Sequence, residues 1–303
     1  MSTLAATPAP TALFTSVDDV AAALRETGYI PSVATATAVF LADKLGKPLL
    51  VEGPAGVGKT ELARACAQAR DARFVRLQCY EGIDEARALY EWNHAKQILR
   101  IQSAGSAGAS GDWDETKEDV FSEEFLLPRP LLQAVREGGP SVLLIDEADK
   151  ADLEFEGLLL EVLSDYAVTV PELGTITAVR KPLVFLTSNA TRELSEALKR
   201  RCLYLHIDFP DAELELSIIR SRVPDLPTEV AQQLLRVIST LRGLDLKKKP
   251  SVSETLDWCR TLLALGVTGS ASGSIDKAAL RSTLGVVLKH QVDIETAAAA
   301  LGL

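Results

Sequence analysis

The hydrophobic pattern of the chain changes near residue 210. Before that point, short apolar runs alternate with stretches whose apolar residues recur at helical spacing. Runs that are almost continuously apolar are typical of strands buried on both faces of a parallel sheet. The pattern therefore predicts an α/β core, residues 16–209, with a five-stranded parallel sheet flanked by helices. The predicted strands are residues 47–51, 74–78, 141–145, 183–187 and 203–207.

After residue 210, leucines recur at helical spacing and no strand pattern follows. Four helical stretches are predicted there, at residues 212–223, 229–241, 253–265 and 277–289. A change of this kind predicts a second, smaller domain, so residues 210–303 form a small all-helical lid. At the other end of the chain, residues 1–15 begin MSTLAATPAP and lack the basic and apolar regions of a signal peptide. We expect a flexible N-terminal tail there.

Two segments interrupt the α/β pattern. Residues 103–115 read SAGSAGASGDWDE, which is small, polar and rich in turn formers, and predict a surface loop. Residues 166–179 alternate around a Pro-Glu-Leu-Gly turn, which predicts a β-hairpin inserted before the fourth strand.

Composition narrows the possible functions. The chain has 303 residues and is 47% hydrophobic, which is enough for two apolar cores. Its formal net charge of -10 argues against a broad nucleic-acid surface. The four cysteines form no CxxC pair and there are only three histidines, so neither a metal cluster nor a disulfide framework is expected. No apolar stretch approaches the roughly 20 residues that span a bilayer. We expect a cytoplasmic protein.

The segment GPAGVGKT, residues 53–60, fits the phosphate-loop pattern G-x-x-x-x-G-K-[ST] in full. It has the required context, since a predicted strand precedes it and a helical run follows. Backbone N–H groups of such a loop surround a phosphate, the lysine reaches the β- and γ-phosphates, and the hydroxyl is placed on Mg²⁺. The predicted ATP-binding residues are Gly53, Pro54, Ala55, Gly56, Val57, Gly58, Lys59, Thr60 and Glu61.

The run SVLLIDEADK supplies two carboxylates at the end of a predicted buried strand. Asp146 is suited to hold Mg²⁺ through water, together with Thr60, and Glu147 is suited to act as general base on an attacking water. An acidic pair after a strand can also simply cap a helix. The complete phosphate loop favours the catalytic interpretation. The next strand is followed by Asn189, whose amide is suited to orient the water, although polar residues there are often only turn formers.

Three cations, Lys199, Arg200 and Arg201, stand together before the fifth strand. A helix of about nine residues from Thr191 would advance about 14 Å, at 1.5 Å per residue, which places both arginines away from the phosphates bound by their own chain. They are suited to enter a neighbour's site, where an arginine finger acting in trans can raise the rate by about 10³ to 10⁵. The alternative is that they interact with the helix dipole, which explains one cation better than three.

These motifs, in this order, resemble the AAA+ ATPases over roughly residues 20–300. The hairpin resembles the pre-sensor insertion of one AAA+ branch, and within it the chain resembles the MoxR group. Residues 76–99, RLQCYEGIDEARALYEWNHAKQIL, are similar to the CoxD-like subgroup. By this resemblance Arg201, directly before Cys202, matches the arginine finger, and Arg200 is the second candidate. One departure concerns the lid arginine of many MoxR-like proteins, because Glu254 and Thr255 stand where it is expected and Arg260 lies further along.

The resemblance implies a hexameric ring, a von Willebrand factor A-domain partner and a metalloenzyme client, similar to molybdenum-containing carbon monoxide dehydrogenase. The sequence thus predicts a ring-forming, Mg-ATP-dependent ATPase that remodels or activates another protein. Two alternatives stay open. One is a DNA-associated AAA+ machine of the clamp-loader or branch-migration type, and the other is a switch or adaptor that binds ATP without significant hydrolysis.

Overall fold

The structure, a computed structural model, describes residues 12–106, 119–267 and 275–303. Its centre is a five-stranded sheet in which every neighbouring pair is parallel. The strands are β1 (Leu49–Glu52), β2 (Arg73–Gln78), β5 (Ser141–Asp146), β8 (Leu183–Ser188) and β9 (Leu203–His206), and their order across the sheet is β2-β5-β8-β1-β9. The five predicted strands are confirmed, with ends shifted by at most two residues.

Alternation along the strands explains how the sheet is buried on both faces. Leu143, Ile145 and Leu186 join one apolar cluster, whereas Leu144 and Phe185, at intervening positions, join the other. Both clusters exclude water from the sheet. The carboxyl ends of β1, β5 and β8 are left at one edge, which is where ligands bind in open parallel sheets.

Helices cover both faces of the sheet and continue after it. They are α1 (Val17–Glu26), α2 (Val33–Leu45), α3 (Lys59–Ala69), α4 (Glu85–Ala88), α5 (His94–Ser106), α6 (Pro130–Arg136), α7 (Leu153–Asp165), α8 (Glu196–Arg201), α9 (Ala212–Arg222), α10 (Thr228–Gly243), α11 (Val252–Ala264), α12 (Lys277–Val287) and α13 (Gln291–Leu301). None of the helices in the described ranges is long and apolar enough to cross a membrane.

Two short antiparallel pairs lie outside the main sheet. The predicted hairpin is confirmed as β6 (Ala167–Val170) paired with β7 (Gly174–Thr177). The second pair, β3 (Tyr90–Trp92) with β4 (Leu126–Pro128), was not predicted and flanks α5. The loop predicted for residues 103–115 is corrected at its start, because α5 continues through Ser106. Residues 107–115 lie outside the described residues.

The four C-terminal helices predicted from leucine spacing are present, and α13 was missed because its AAAA run carries no leucine repeat. They share an apolar cluster of their own, in which Trp258 is fully buried. The indole N–H of Trp258 donates to Thr283 Oγ1 at 2.7 Å, which satisfies its only polar group. This separate cluster supports the division near residue 210, which stays a prediction.

The predicted N-terminal tail, residues 1–15, contains a residue that packs into the core. Phe14 is only 2% exposed, and its backbone N–H donates to Asp43 Oδ2 at 2.8 Å. The guanidinium of Arg70 lies 4.6 Å from the centre of its ring. The chain is therefore anchored at least from Phe14 onward, before the predicted boundary at residue 16.

The helix predicted from Thr191 is also corrected, because α8 begins only at Glu196. Two buried carboxylates take the N–H groups that would otherwise start a helix earlier. Asp149 accepts from the Thr191 N–H at 3.0 Å, and Glu156 accepts from the Ser195 N–H at 2.8 Å. The segment between Asn189 and the arginines is therefore a short loop followed by six helical residues.

Candidate nucleotide site

The phosphate loop connects β1 to α3, and three of its glycines have positive φ: Gly53, Gly56 and Gly58. A Cβ at Gly53 would lie 1.9 Å from the Ile207 carbonyl oxygen, and one at Gly56 would lie 2.5 Å from Ser251 Cβ. Side chains at these positions would collide with β9 and with the lid. The turn therefore favours glycine at all three positions, and at Gly53 and Gly56 the close approach of neighbouring segments also excludes a side chain.

Lys59 begins α3 and is buried. Its ammonium group donates to the carbonyl oxygens of Gly53 and Pro54, at 2.6 and 2.7 Å, and to Asn189 Oδ1 at 2.8 Å. Burial lowers the pKa of Lys59, and the nearby carboxylates of Asp149 and Asp146 partly offset this. All three partners are neutral oxygens, so the cation remains available to an anionic ligand.

Asp146 ends β5 and is nearly fully buried. Its Oδ1 accepts from the hydroxyls of Thr187 and Thr60 at 2.6 and 3.0 Å. Its Oδ2 accepts from Nε and Nη2 of Arg76 at 3.0 and 2.6 Å. The structure therefore brings the two predicted metal-site residues together.

Glu147 follows in the left-handed conformation, with φ of 56°. Its N–H donates to Thr187 Oγ1 at 2.9 Å, which fixes this turn against β8. Its carboxylate accepts from Gln78 Nε2 at 2.8 Å and from Lys150 Nζ at 2.6 Å. This conformation directs the carboxylate into the space above the phosphate loop.

Asn189 lies between Lys59 and Glu147. Its Oδ1 accepts from Lys59, and its Nδ2 donates to Glu147 Oε1 at 3.4 Å. The backbone after it is held by Asp149, whose Oδ2 accepts from the N–H of Asn189 and from both donors of Thr191. Burial raises the pKa of Asp149, but these hydrogen bonds outweigh burial and leave the pKa below its ordinary value.

Two adjoining cavities occupy this edge of the sheet. The first, about 480 Å³, is the phosphate cavity. It includes Lys59, Thr60, Asp146, Glu147 and Asn189, together with five residues that were not predicted: Thr187, Ser253, Arg64, Arg76 and Gln78. The sequence did carry a signal for the last two, since polar residues alternate with apolar ones in the strand FVRLQ and share one face.

The second cavity, about 500 Å³, is the lid cavity, between the core and the lid. Its apolar walls include Tyr29, Ile207, Phe209, Leu214 and Leu256. The two cavities share Gly56, Gly58, Glu61 and Ser253. A polar cavity joined to an apolar one suits a ligand with a phosphate chain and an aromatic base.

The lid contacts the phosphate loop directly. The N–H of Ser253 donates to the Gly56 carbonyl at 3.3 Å, and Arg222 Nη2 donates to Glu61 Oε1 at 2.6 Å. At the positions where a lid arginine was expected, Glu254 caps α11 through Ser251 and Thr255 is buried. Arg260, further along the same helix, lines the lid cavity and pairs with Asp257 at 3.0 Å.

Arg200 and Arg201 lie at the end of α8 and are exposed. Arg201 Nη1 donates to Ser164 Oγ. Neither arginine is among the described residues that line the two cavities. This placement leaves them outside the site of their own chain. Lys199, in contrast, pairs with Glu193 at 2.8 Å, as expected for a cation that stays on the surface of its own helix.

The site has the chemistry that Mg²⁺ requires. The cation prefers oxygen ligands and keeps several waters, and here a hydroxyl and a carboxylate lie 3.0 Å apart beside the phosphate cavity. Thr60 and Asp146 therefore fit this ion. Elsewhere in the described residues, no group of three or more histidine, cysteine, aspartate or glutamate side chains could hold a metal. Cys66, Cys79 and Cys259 are buried and free, as expected for core residues.

The phosphate loop, the acidic pair and the asparagine at the carboxyl edge of a parallel sheet define a P-loop nucleotide-binding fold of the AAA+ type. The sequence profile of the AAA domain, dynein-related subfamily, matches residues 48–202, just over half of the chain. The chain belongs to this family.

Individual relatives are more distant. The gas vesicle ATPase GvpN of Haloferax mediterranei is 28% identical over 208 residues, which are 65% of this chain and 57% of the relative. An uncharacterised protein of Staphylococcus aureus (strain bovine RF122 / ET3-1) is 25% identical over 232 residues, 73% of this chain and 77% of its own length. The matched region thus spans less than two thirds of the gas vesicle ATPase.

Proposed function

We propose that the chain hydrolyses ATP with Mg²⁺ as cofactor, and does so in a ring of identical subunits. The observation that supports this proposal most directly is that Lys59, Asp146, Glu147 and Asn189 meet at one cavity next to the phosphate loop. The name of the gas vesicle ATPase relative agrees with the activity. Thr60 and Asp146 would hold Mg²⁺, which supplies charge neutralisation at the phosphate oxygens when bound.

Each residue of the site has a separate role in the proposed reaction. Backbone N–H groups of the phosphate loop and the Lys59 ammonium bind the phosphates. Glu147 is a general base, because its carboxylate faces the cavity and can take the proton of an attacking water. Asn189 contacts both groups, so its amide is suited to orient that water between them. Gln78 and Lys150 both donate to Oε2 of Glu147, which fixes the carboxylate and leaves Oε1, the oxygen beside Asn189, to accept from the water.

Glu147→Gln tests this proposal. We expect the variant to bind ATP like the wild type and to hydrolyse it about 10²- to 10⁴-fold more slowly, the usual contribution of a positioned base. Equal, near-zero turnover in both proteins would instead identify an ATP-binding switch or adaptor. Binding of DNA that weakens steeply with salt would favour the DNA-associated machine.

Arg200 and Arg201 would complete the site of the neighbouring subunit. The supporting observation is that both are exposed and lie outside the cavities of their own chain. Activity should then rise with protein concentration as subunits assemble, and the number of subunits, which we propose to be six, can be measured by light scattering. Turnover at the wild-type rate after both arginines are replaced by alanine would exclude this role.

The energy of ATP hydrolysis is proposed to remodel or activate a partner protein. The similarity of residues 76–99 to CoxD-like MoxR proteins suggests a metalloenzyme under maturation and a von Willebrand factor A-domain partner. Glu147→Gln in ATP should hold the assembled state, so affinity capture with this variant is the test. Enrichment of such proteins with Glu147→Gln, and their absence with Lys59→Ala, is the expected result; equal capture by both would contradict it.

A further inference from the structure

Arg76 binds the carboxylate of Asp146, the residue proposed to hold Mg²⁺. It is on β2, the edge strand next to β5, two residues before Gln78 and on the same face of the strand. Gln78 lies opposite Asp146 in the parallel register. The side chains of Arg76 and Gln78 therefore project beside the two carboxylates of the phosphate cavity.

The contacts make Arg76 a competitor for one oxygen atom. Asp146 Oδ2 accepts from two N–H groups of Arg76, at 3.0 and 2.6 Å, while Oδ1 is occupied mainly by threonine hydroxyls. A hydroxyl can remain beside a metal-bound carboxylate, since it is neutral and can itself be a ligand. A guanidinium on Oδ2 would repel a divalent cation held by the same carboxylate, directly or through water, because both groups are positively charged.

Arg76 is also the partner that is free to leave. Its side chain is 44% exposed, against 4% for Asp146, and it lines the phosphate cavity. Arg76 Nη2 also donates to Gln78 Oε1, so the guanidinium has a second partner beside the cavity. Because Arg76 lines the phosphate cavity itself, its guanidinium can leave Asp146 and remain in that cavity.

We propose that Arg76 occupies the metal site of Asp146 before the nucleotide arrives, and that it competes with the divalent cation for this carboxylate. Arg76 is then a positioning residue that makes metal binding conditional on nucleotide, because the phosphates give its charge an alternative partner. This inference rests on the proposed function, since it concerns the same ATP site.

The test measures the affinity of a fluorescent, non-hydrolysable ATP analogue twice, in excess EDTA and in saturating Mg²⁺. The dissociation constant in EDTA divided by that in Mg²⁺ reports how much the metal tightens nucleotide binding. In Arg76→Ala the competitor is gone, so we expect this ratio to rise roughly three- to tenfold over that of the wild type, as for loss of an ion pair that is partly screened by solvent. Arg76→Lys should show a smaller rise, since a single ammonium replaces the two-pronged contact.

Arg64→Ala is the matched control. Arg64 lines the same cavity, but its ion pair is with Glu61, at 3.8 Å, and not with Asp146. Its loss should weaken binding in both media together and leave the ratio unchanged. An unchanged ratio in Arg76→Ala and Arg76→Lys would overturn the inference. If Arg76→Ala fails to fold, as judged by thermal unfolding, Arg76→Lys decides alone. A wild type that binds the analogue in neither medium would contradict the proposed function instead.

Discussion

The phosphate cavity and the lid cavity differ in the kind of side chains that line them and in the parts of the chain that form them. The phosphate cavity is lined mainly by charged and polar side chains from the first turns of α3 and from the ends of β2, β5 and β8, and most of them have named hydrogen-bond partners. The lid cavity has many apolar side chains and is formed by four separated parts of the chain: the turn after α1, the phosphate loop with the start of α3, the end of β9 with the residues after it, and the lid helices. The first is defined locally by short motifs, whereas the second exists only when the lid packs against the core.

A buried ion pair stabilises the lid, and its loss should have a greater effect than any other change proposed below. Arg242 donates two hydrogen bonds to Glu215, at 2.7 and 2.8 Å, one to the Pro250 carbonyl, and stacks on Phe209. Both charged side chains are largely buried. Arg242→Ala leaves the Glu215 carboxylate buried without its partner, and we expect the free energy of unfolding to fall by about 3 kcal/mol.

Chemical denaturation measures this change, with Arg236→Ala as its control. Arg236 lies on the same helix and is exposed, so its replacement should change stability by no more than about 0.5 kcal/mol. Equal stabilities of the Arg242→Ala and Arg236→Ala proteins would show that the buried pair does not organise the lid.

The next effect lies in the phosphate cavity. Lys59→Ala removes the cation that the phosphate loop surrounds, and we expect ATP affinity to fall about 10- to 100-fold, as for loss of a charge-assisted hydrogen-bond donor. Calorimetric titration with ATP measures it. Lys44→Ala, an exposed lysine at the end of α2, is the control and should bind normally. Normal binding by Lys59→Ala would place the ligand elsewhere.

A smaller effect tests the contact between the two halves. Arg222 on the lid pairs with Glu61 on α3, and both side chains are about one third exposed. Arg222→Ala should therefore weaken ATP binding only about two- to fivefold, and mostly by faster release. Stopped-flow displacement of a fluorescent ATP analogue measures the release rate. Arg220→Ala, exposed on the same helix, should match the wild type; a similar acceleration in both variants would exclude a specific contact.

The smallest effect concerns pH and the loop of Asn189. The pKa of Asp149 is lowered from 3.8, so the folded protein binds this proton less tightly than the unfolded chain. The resulting stability is fully present above the unfolded pKa and is lost as the pH falls through the lower, folded pKa. Acid unfolding should therefore be less steep for Asp149→Asn than for the wild type below about pH 4. Identical curves would show that Asp149 does not support this loop electrostatically.

The same difference between the cavities explains what the sequence could and could not predict. Gly53 to Thr60 and Asp146 to Glu147 were predictable because each motif places its residues at a strand end, and parallel strands share one edge. Arg76 was missed because its role depends on β2 lying next to β5, which periodicity does not specify. The start of α8 was misjudged for a similar reason, since Asp149 and Glu156, from a distant part of the sequence, bind the backbone before it.

We propose that one subunit supplies Glu147 and its neighbour supplies the arginines. Mixing two inactive proteins tests this most directly: Glu147→Gln, and a variant in which both Arg200 and Arg201 are replaced by alanine. At equal amounts, about a quarter of the interfaces in randomly mixed rings join an intact Glu147 to an intact arginine pair. We predict that ATP turnover of the mixture rises to roughly that fraction of the wild-type rate, with each variant alone near zero. A mixture no more active than the sum of its parts, at concentrations where light scattering shows mixed rings, would contradict the claim.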